Sequence, residues 1–241
     1  MKGFLAALQF LTIFRIKEID NDFASSLYWF PAVGLIIGFL LCSVYWVWKL
    51  IGLPAWNMGI SACIVAAEML ITFALHIDGL SDWADSFGAK DRARRLEIMK
   101  DPRTGTFGII AVCLALLFRL LSISRILAQE KIMALLLAPV ISRAMMVEMC
   151  ASMPYARENG KGAPFVRNAG IKHRLVVFLL TLSFSLIAYQ IKGVVLFFSA
   201  FFPVFFLKYV FKKEFSGVTG DLLGATNEIV TVFVLFAGAL L

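Results

Sequence analysis

The chain has 241 residues, 61% of them hydrophobic and 16% charged, with a formal net charge of +7 and a mean hydropathy of +0.86. Soluble domains are about half apolar and about a quarter charged, so this composition excludes a water-soluble globule and a disordered chain, and it fits a membrane. The basic balance alone would suit nucleic acid, but the placement of the charges removes that reading.

The first fourteen residues hold one Lys and an apolar stretch too short to span, with no small-residue cleavage site before the polar 15–21 segment. Residues 1–26 therefore read as an interfacial N-terminal segment built on an amphipathic helix. Long apolar runs follow at 27–48, 58–75, 107–127, 132–150, 175–191 and 193–211. A seventh, 229–241, rises only about 20 Å as a helix, so it either starts earlier, near Leu222, or spans incompletely. Cys42, Cys63, Cys113 and Cys150 lie inside these runs without CxxC spacing, as structural thiols do. The expected fold is all-α: one polytopic membrane helix bundle of about seven transmembrane segments, with no separate soluble domain.

Lys and Arg test the orientation, because cytoplasmic loops carry them in excess. Residues 1–26, 77–104, 151–174 and 208–228 hold 17 of the 23, the opposite loops hold Lys49, Arg125, Lys131 and Lys192, and Arg119 and Arg143 fall within spans. The N-terminus and the loops 77–104, 151–174 and 208–228 are thus expected in the cytoplasm. The positive charge is topology, and no nucleic-acid partner is needed.

The first long loop opens His76-Ile77-Asp78-Gly79-Leu80-Ser81-Asp82-Trp83-Ala84-Asp85. On a continuing helix Asp78, Asp82 and Asp85 share one face at i, i+4 and i+7. Three stacked carboxylates repel one another, and an all-oxygen set without thiolate points to a hard divalent ion such as Mg²⁺. His76 at the membrane boundary suits packing as well as proton handling. Six basic groups follow between Lys90 and Arg103, matched to a diphosphate or to lipid headgroups. Arg103-Thr104-Gly105 has the stronger claim, as a flexible turn entering a helix N-terminus.

Pro154 to Gly162 is a Gly-rich basic loop, and Gly220 to Glu228 adds Asp221, Asn227 and Glu228 just before the last apolar run. The latter set can complete a metal site or supply a general base. Glu68, Arg119, Arg143 and Glu148 lie within spans, where charge is costly and faces the protein interior. Arg143 with Ser142 is read as a bundle-lining group open to substrate.

Gln9-Phe10-Leu11-Thr12, His76 to Asp85, Asp91 to Gly108, Pro139 to Arg143, Pro154 to Arg157 and Gly220 to Glu228 together make the chain resemble the cobalamin synthases, that is the adenosylcobinamide-GDP ribazoletransferases. The run from His76 through Gly108 is the most specific of these. Ser86 after the third Asp and the Phe14-Arg15 start depart from the family pattern without touching the carboxylates. The resemblance implies that a free ribose hydroxyl of α-ribazole, or of its 5′-phosphate form, attacks the cobinamide-side phosphorus of adenosylcobinamide-GDP. GMP is expelled, and adenosylcobalamin or its phosphate forms. It further implies Asp78, Asp82 and Asp85 as Mg²⁺ ligands, one of them or Glu228 taking the proton, and Arg95, Lys100 and Arg103 steadying the diphosphate. Asp221, Asn227 and Glu228 belong to the same site, with His76 behind it.

A bacterial inner-membrane location, with the lipid bilayer as partner, follows from the same resemblance. Association into a homo-oligomer or with other cobalamin-assembly enzymes is left open by it. Two other classes compete on the residues alone. Another Mg²⁺-dependent membrane phosphotransferase or prenyltransferase also uses spaced aspartates at a helix-membrane boundary, but its further motifs are missing or poorly matched. A transporter would place its site near the midplane at a repeat interface, whereas these carboxylates gather at one face and no repeat is visible.

Overall fold

The computed structural model describes residues 2–14 and 22–241; the polar 15–21 stretch lies outside the described residues. The helices are α1 (Lys2–Leu11), α2 (Phe23–Ser26), α3 (Phe30–Leu50), α4 (Asn57–Ile71), α5 (Leu75–Asp85) and α6 (Arg92–Ile98). They continue with α7 (Thr106–Ala128), α8 (Ile132–Ser152), α9 (Ala163–Asn168), α10 (Ile171–Ser199), α11 (Phe201–Phe215) and α12 (Gly220–Leu240). Among the described residues there is no strand, only one bridge between Tyr155 and Val218.

Five stretches are long and apolar enough to cross a membrane: Phe23–Leu50, Thr106–Ala128, Ile132–Ser152, Ile171–Phe215 and Gly220–Leu240. A sixth is a broken span, Asn57–Ile71 followed by Leu75–Gly88 at 89°. The 45-residue stretch Ile171–Phe215 is two crossings. Tyr189 and Gln190 leave helical backbone angles, and Arg174 and Lys208 both ion-pair with Glu148. On a straight helix those two side chains would sit about 51 Å apart at 1.5 Å per residue, so the chain doubles back between them. Phe178 packs across the turn on Phe197 and Phe201, at 5.0 and 5.9 Å between ring centroids. The reversal brings the crossings to the seven expected from the apolar runs. The last helix starts at Gly220, earlier than its apolar run, and its 21 residues reach about 31 Å, enough to span.

Helix α8 is the axis of the bundle: every residue from Ala134 to Cys150 is buried. Its sequence fits that place: Arg143 and Glu148 are charges that a membrane helix turns into the bundle, and the residues around them are almost all apolar. Against it runs α3, whose Gly34 and Gly38 make a small-xxx-small seam of the kind that lets membrane helices touch backbone to backbone. A Cβ on Gly38 would lie 2.5 Å from the Leu136 carbonyl oxygen, and one on Gly34 would run into the carbonyl of Pro139.

The break between α4 and α5 positions the polar residues. Phe73 and Ala74 take left-handed backbone angles, φ 51° and 53°, which non-glycine residues adopt at some cost. Neighbouring backbone holds the bend: Ile13 N–H donates to the Ile71 carbonyl at 2.8 Å and Ala74 N–H to that of Met69 at 2.9 Å. The short α5 then lies against α7 and α12. Gly79 meets the Asp221 backbone and Gly224 meets the His76 carbonyl, so the two helices approach with no side chain between them.

Candidate active site at the basic end of the bundle

The polar residues converge at one end. Asp85 at the end of α5 reaches the start of α7, Gly79 touches Asp221 at the start of α12, and Ala156 N–H donates to the Val218 carbonyl at 2.8 Å. This end carries most of the Lys and Arg, the charge bias that led to the expectation of a cytoplasmic face.

A cleft of about 550 Å³ opens there, lined by Gln9 and Phe10 of α1, by Ile13 just beyond it, and by Asp78, Lys161 and Asp221. His76 and Met146 line it too. A second cavity, about 300 Å³, lies across α5 and is also lined by Asp78. Asp78 therefore faces open space on both sides of its helix. The charges that act on Asp82 are those of Asp78, Asp221, Asp85 and Arg157. Asp221 in turn accepts from Arg157 Nη1 at 2.9 Å. Arg157 thus braces α12 beside the aspartates, a role that sequence reasoning did not give it although Pro154 to Arg157 was among the matching stretches.

Asp85 is placed differently from its two helix-mates. Its carboxylate accepts from Gly105 N–H and Gly108 N–H, both at 2.7 Å. It caps the first turn of α7, satisfying donors that have no partner inside the helix. The i, i+4, i+7 spacing put three carboxylates on one face, and tertiary structure gave one of them to a neighbouring helix end.

The basic run divides as well. Arg92 donates to the carbonyls of Phe215 and Ala156 at 2.8 and 2.9 Å, tying α6 to the loops before α12. Arg95 pairs with Glu214 at 3.3 Å. Arg103 is exposed and pairs with Asp101 at 2.7 Å; its hydrogen bonds hold the Asp101 carboxyl down at about 2. Lys100 is exposed. None of these four lines the larger cleft.

Beneath the cleft lies a second polar layer. Arg119 is 3.2 Å from Glu68 and 2.6 Å from Glu228, and Arg143 is 3.8 Å from Glu68, with all four side chains 3% exposed or less. Asn227 Nδ2 donates to Glu228 at 3.2 Å. Glu228, Asn227 and Arg143 therefore sit in a buried ion network, and Asp221 alone of the α12 set reaches the cleft. His76 lies between the two layers: it lines the cleft, it is 3% exposed, and its Nε2 has no hydrogen-bond partner.

Among the described residues no three His, Cys, Asp or Glu side chains gather tightly enough to form a ligand shell by themselves. The donor chemistry still suits Mg²⁺, which is commonly held by one or two carboxylates while water and phosphate oxygens fill its other positions. Asp78, Asp82 and Asp221 gather three carboxyl groups in a region whose cations are Arg157 and Lys161. A divalent cation is what that set lacks before an anion could enter.

A family model described as cobalamin-5-phosphate synthase matches residues 3–239. The chain is 38% identical to an adenosylcobinamide-GDP ribazoletransferase of Syntrophobacter fumaroxidans, covering 98% of this chain and 97% of that one. It is 37% identical to the enzyme of that name from Chlorobaculum parvum, with 100% and 96% covered, and 35% identical to that of Chlorobium phaeovibrioides, with 98% and 96% covered. No solved structure matches the chain.

Proposed function

The chain belongs to the cobalamin-5-phosphate synthase family, and on that premise we propose that it joins α-ribazole, or its 5′-phosphate, to adenosylcobinamide-GDP with release of GMP. The observation that carries the reading is the meeting of Asp78, Asp82 and Asp221 beside a cleft at the basic end of a membrane bundle. The bilayer it occupies is then the bacterial inner membrane, with its loops facing cytoplasmic substrates.

The reaction is a phosphoryl transfer. A free ribose hydroxyl oxygen of the ribazole forms a bond to the cobinamide-side phosphorus, the bond from that phosphorus to the bridging oxygen breaks, and GMP leaves with the bridge. Catalysis of this kind is largely positioning and neutralisation of charge. Asp78 and Asp82, one turn apart on α5, are the residues that would hold Mg²⁺, with Asp221 facing them from α12. Bound there, Mg²⁺ supplies the positive charge that draws in the diphosphate and stabilises the charge developing on its oxygens. The hydroxyl proton goes to whichever of the Asp78 and Asp82 carboxylate oxygens is turned toward the cleft. Asp85 keeps the α7 N-terminus in place beside them. Arg119, Arg143, Glu68 and Glu228 act from below, fixing the helices that carry the aspartates.

The test is turnover by protein in liposomes or detergent, supplied with adenosylcobinamide-GDP, α-ribazole and Mg²⁺ and followed by GMP formation. The reading predicts GMP and a cobalamin in equal amounts. Folded protein that makes neither would overturn it.

A further inference from the structure

Of the cations near the site, Lys161 is the one that lines the larger cleft, and no ion-pair or hydrogen-bond partner is found for its Nζ among the described residues. Arg157 is committed to Asp221, Arg95 to Glu214 and Arg103 to Asp101. Lys161 stands between two glycines in a loop whose position is fixed. A Cβ on Gly160 would run into the Tyr155 hydroxyl, and one on Gly162 would lie 3.1 Å from Gly220 Cα at the head of α12. The loop therefore presses against the start of the helix that carries Asp221, with the Lys161 side chain left free to enter the cleft. A second, independent feature points to a ligand in the same space: His76 lines it, is buried to 3% exposure, and keeps Nε2 unpartnered. Buried ring nitrogens normally find a partner. The lining of the cleft also includes the apolar Phe10, Ile13, Phe73 and Leu75, with Ile13, Phe73 and Leu75 more than 40% exposed.

We propose that Lys161 is the residue that grips the anionic group of the nucleotide-activated substrate, a diphosphate whose bulkier and less polar portion rests on the α1 and Phe73 side. This deepens the reading of the preceding subsection and rests on it. The charges set the roles. A metal among Asp78, Asp82 and Asp221 would meet some of the phosphate oxygens, and the Lys161 ammonium, a mobile point charge with three donors, would meet others beside it. His76, which lines the same cavity and keeps Nε2 without a partner, stands beside that grip. The acceptor alcohol carries no diphosphate and should not depend on Lys161.

The experiment compares wild type, Lys161→Ala and Lys161→Arg in liposomes. In Lys161→Ala the KM for adenosylcobinamide-GDP should rise about tenfold or more, as expected when a charge-assisted hydrogen bond to phosphate is lost. Its kcat and the KM for α-ribazole should move less than about twofold, and Lys161→Arg should recover most of the loss, since it restores the charge. An unchanged KM for the diphosphate substrate in Lys161→Ala, or equal losses for both substrates, overturns the proposal while leaving the transferase reading intact.

If wild type shows no turnover at all, that reading falls, and the binding claim is checked directly with inorganic pyrophosphate and Mg²⁺ by calorimetry. Mg²⁺-dependent binding weakened about tenfold in Lys161→Ala upholds the grip, and equal binding, or none to wild type, overturns it. Lys161 is exposed, so the melting temperature should be the same in all three proteins.

Discussion

Arg119 Nη2 lies 2.6 Å from Glu228 Oε2 where neither side chain is more than 3% exposed. With Glu68 on α4 and Arg143 on α8 they form a set of two acids and two bases whose formal charges cancel. A charge is tolerated inside a membrane protein when it faces the bundle and is paired. The network crosses four helices, α4, α7, α8 and α12, directly behind the short α5. Its chemistry is that of a clamp on the helices that frame the acidic cleft.

Removing one member should therefore cost more than removing a matched pair. Arg119→Met leaves Glu68 and Glu228 facing each other with one base between them, and breaking a buried pair in this way costs about 3–5 kcal/mol. Arg119→Met combined with Glu228→Gln restores neutrality and should regain a large part of that loss. Thermal unfolding in detergent of the two singles and the double closes the cycle. Additive losses would show that Arg119 and Glu228 are not coupled.

Asp85 and Asp82 sit one turn apart yet should fail in different ways. Asp85→Ala removes the acceptor for Gly105 and Gly108 N–H, so it should lose about 1 kcal/mol of stability, the usual worth of a helix cap. Activity should survive at temperatures where the protein is folded, with the Mg²⁺ requirement unmoved. Asp82→Asn should leave the melting temperature near wild type and remove activity. A Mg²⁺ half-saturation raised severalfold in Asp85→Ala would return Asp85 to the metal site.

The seam between α3 and α8 offers a test of packing. Gly34→Leu pushes a side chain into the Pro139 carbonyl, and overpacking of this kind costs about 1–3 kcal/mol or more. Gly52, in an open turn with nothing within 4 Å of a Cβ, should take alanine with less loss, limited to the strain at its φ of 70°. Unfolding midpoints of the two variants give the comparison. An undisturbed Gly34→Leu would mean that the helices are further apart than described.

Much of this was legible beforehand, and what was not has physical causes. The apolar runs and the bias of Lys and Arg were enough for the spans and for the end at which the basic loops gather, because length and charge asymmetry act locally along the chain. They also placed a reversal near residue 192, where helical periodicity alone would have run on from Ile171 to Ser199. The spacing of Asp78, Asp82 and Asp85 put them on one helix face, but no local pattern could show that an α7 N-terminus would arrive to occupy Asp85. Likewise Glu228 and Arg143 read as site residues, whereas the packing of α12 on α7 and α8 turned them into an interior ion network with Glu68 and Arg119. Arg157 and Lys161 gained their places only through contacts with residues some sixty positions away, at Asp221 and Gly220.

A last structural test concerns Glu148. It holds both Arg174 and Lys208, one on each arm of the α10–α11 reversal. Glu148→Gln keeps the shape and removes the charge, leaving two cations side by side in a half-buried setting. The melting temperature should fall, and Glu148→Gln combined with Lys208→Met should recover part of it. Loss without recovery would mean that the two arms are held together by their Phe contacts alone.

The central claim is that α5 presents a carboxylate pair, Asp78 and Asp82, to a divalent ion that the transfer requires. The direct measurement is GMP release from adenosylcobinamide-GDP and α-ribazole as a function of Mg²⁺, for wild type, Asp78→Asn, Asp82→Asn and Asp85→Asn in the same liposomes. The account predicts saturable Mg²⁺ dependence in wild type, loss of about a hundredfold or more in the first two variants, as when a group stabilising transition-state charge is removed, and a working enzyme in the third. Turnover that is indifferent to Mg²⁺, or that survives Asp82→Asn at wild-type rate, would contradict it.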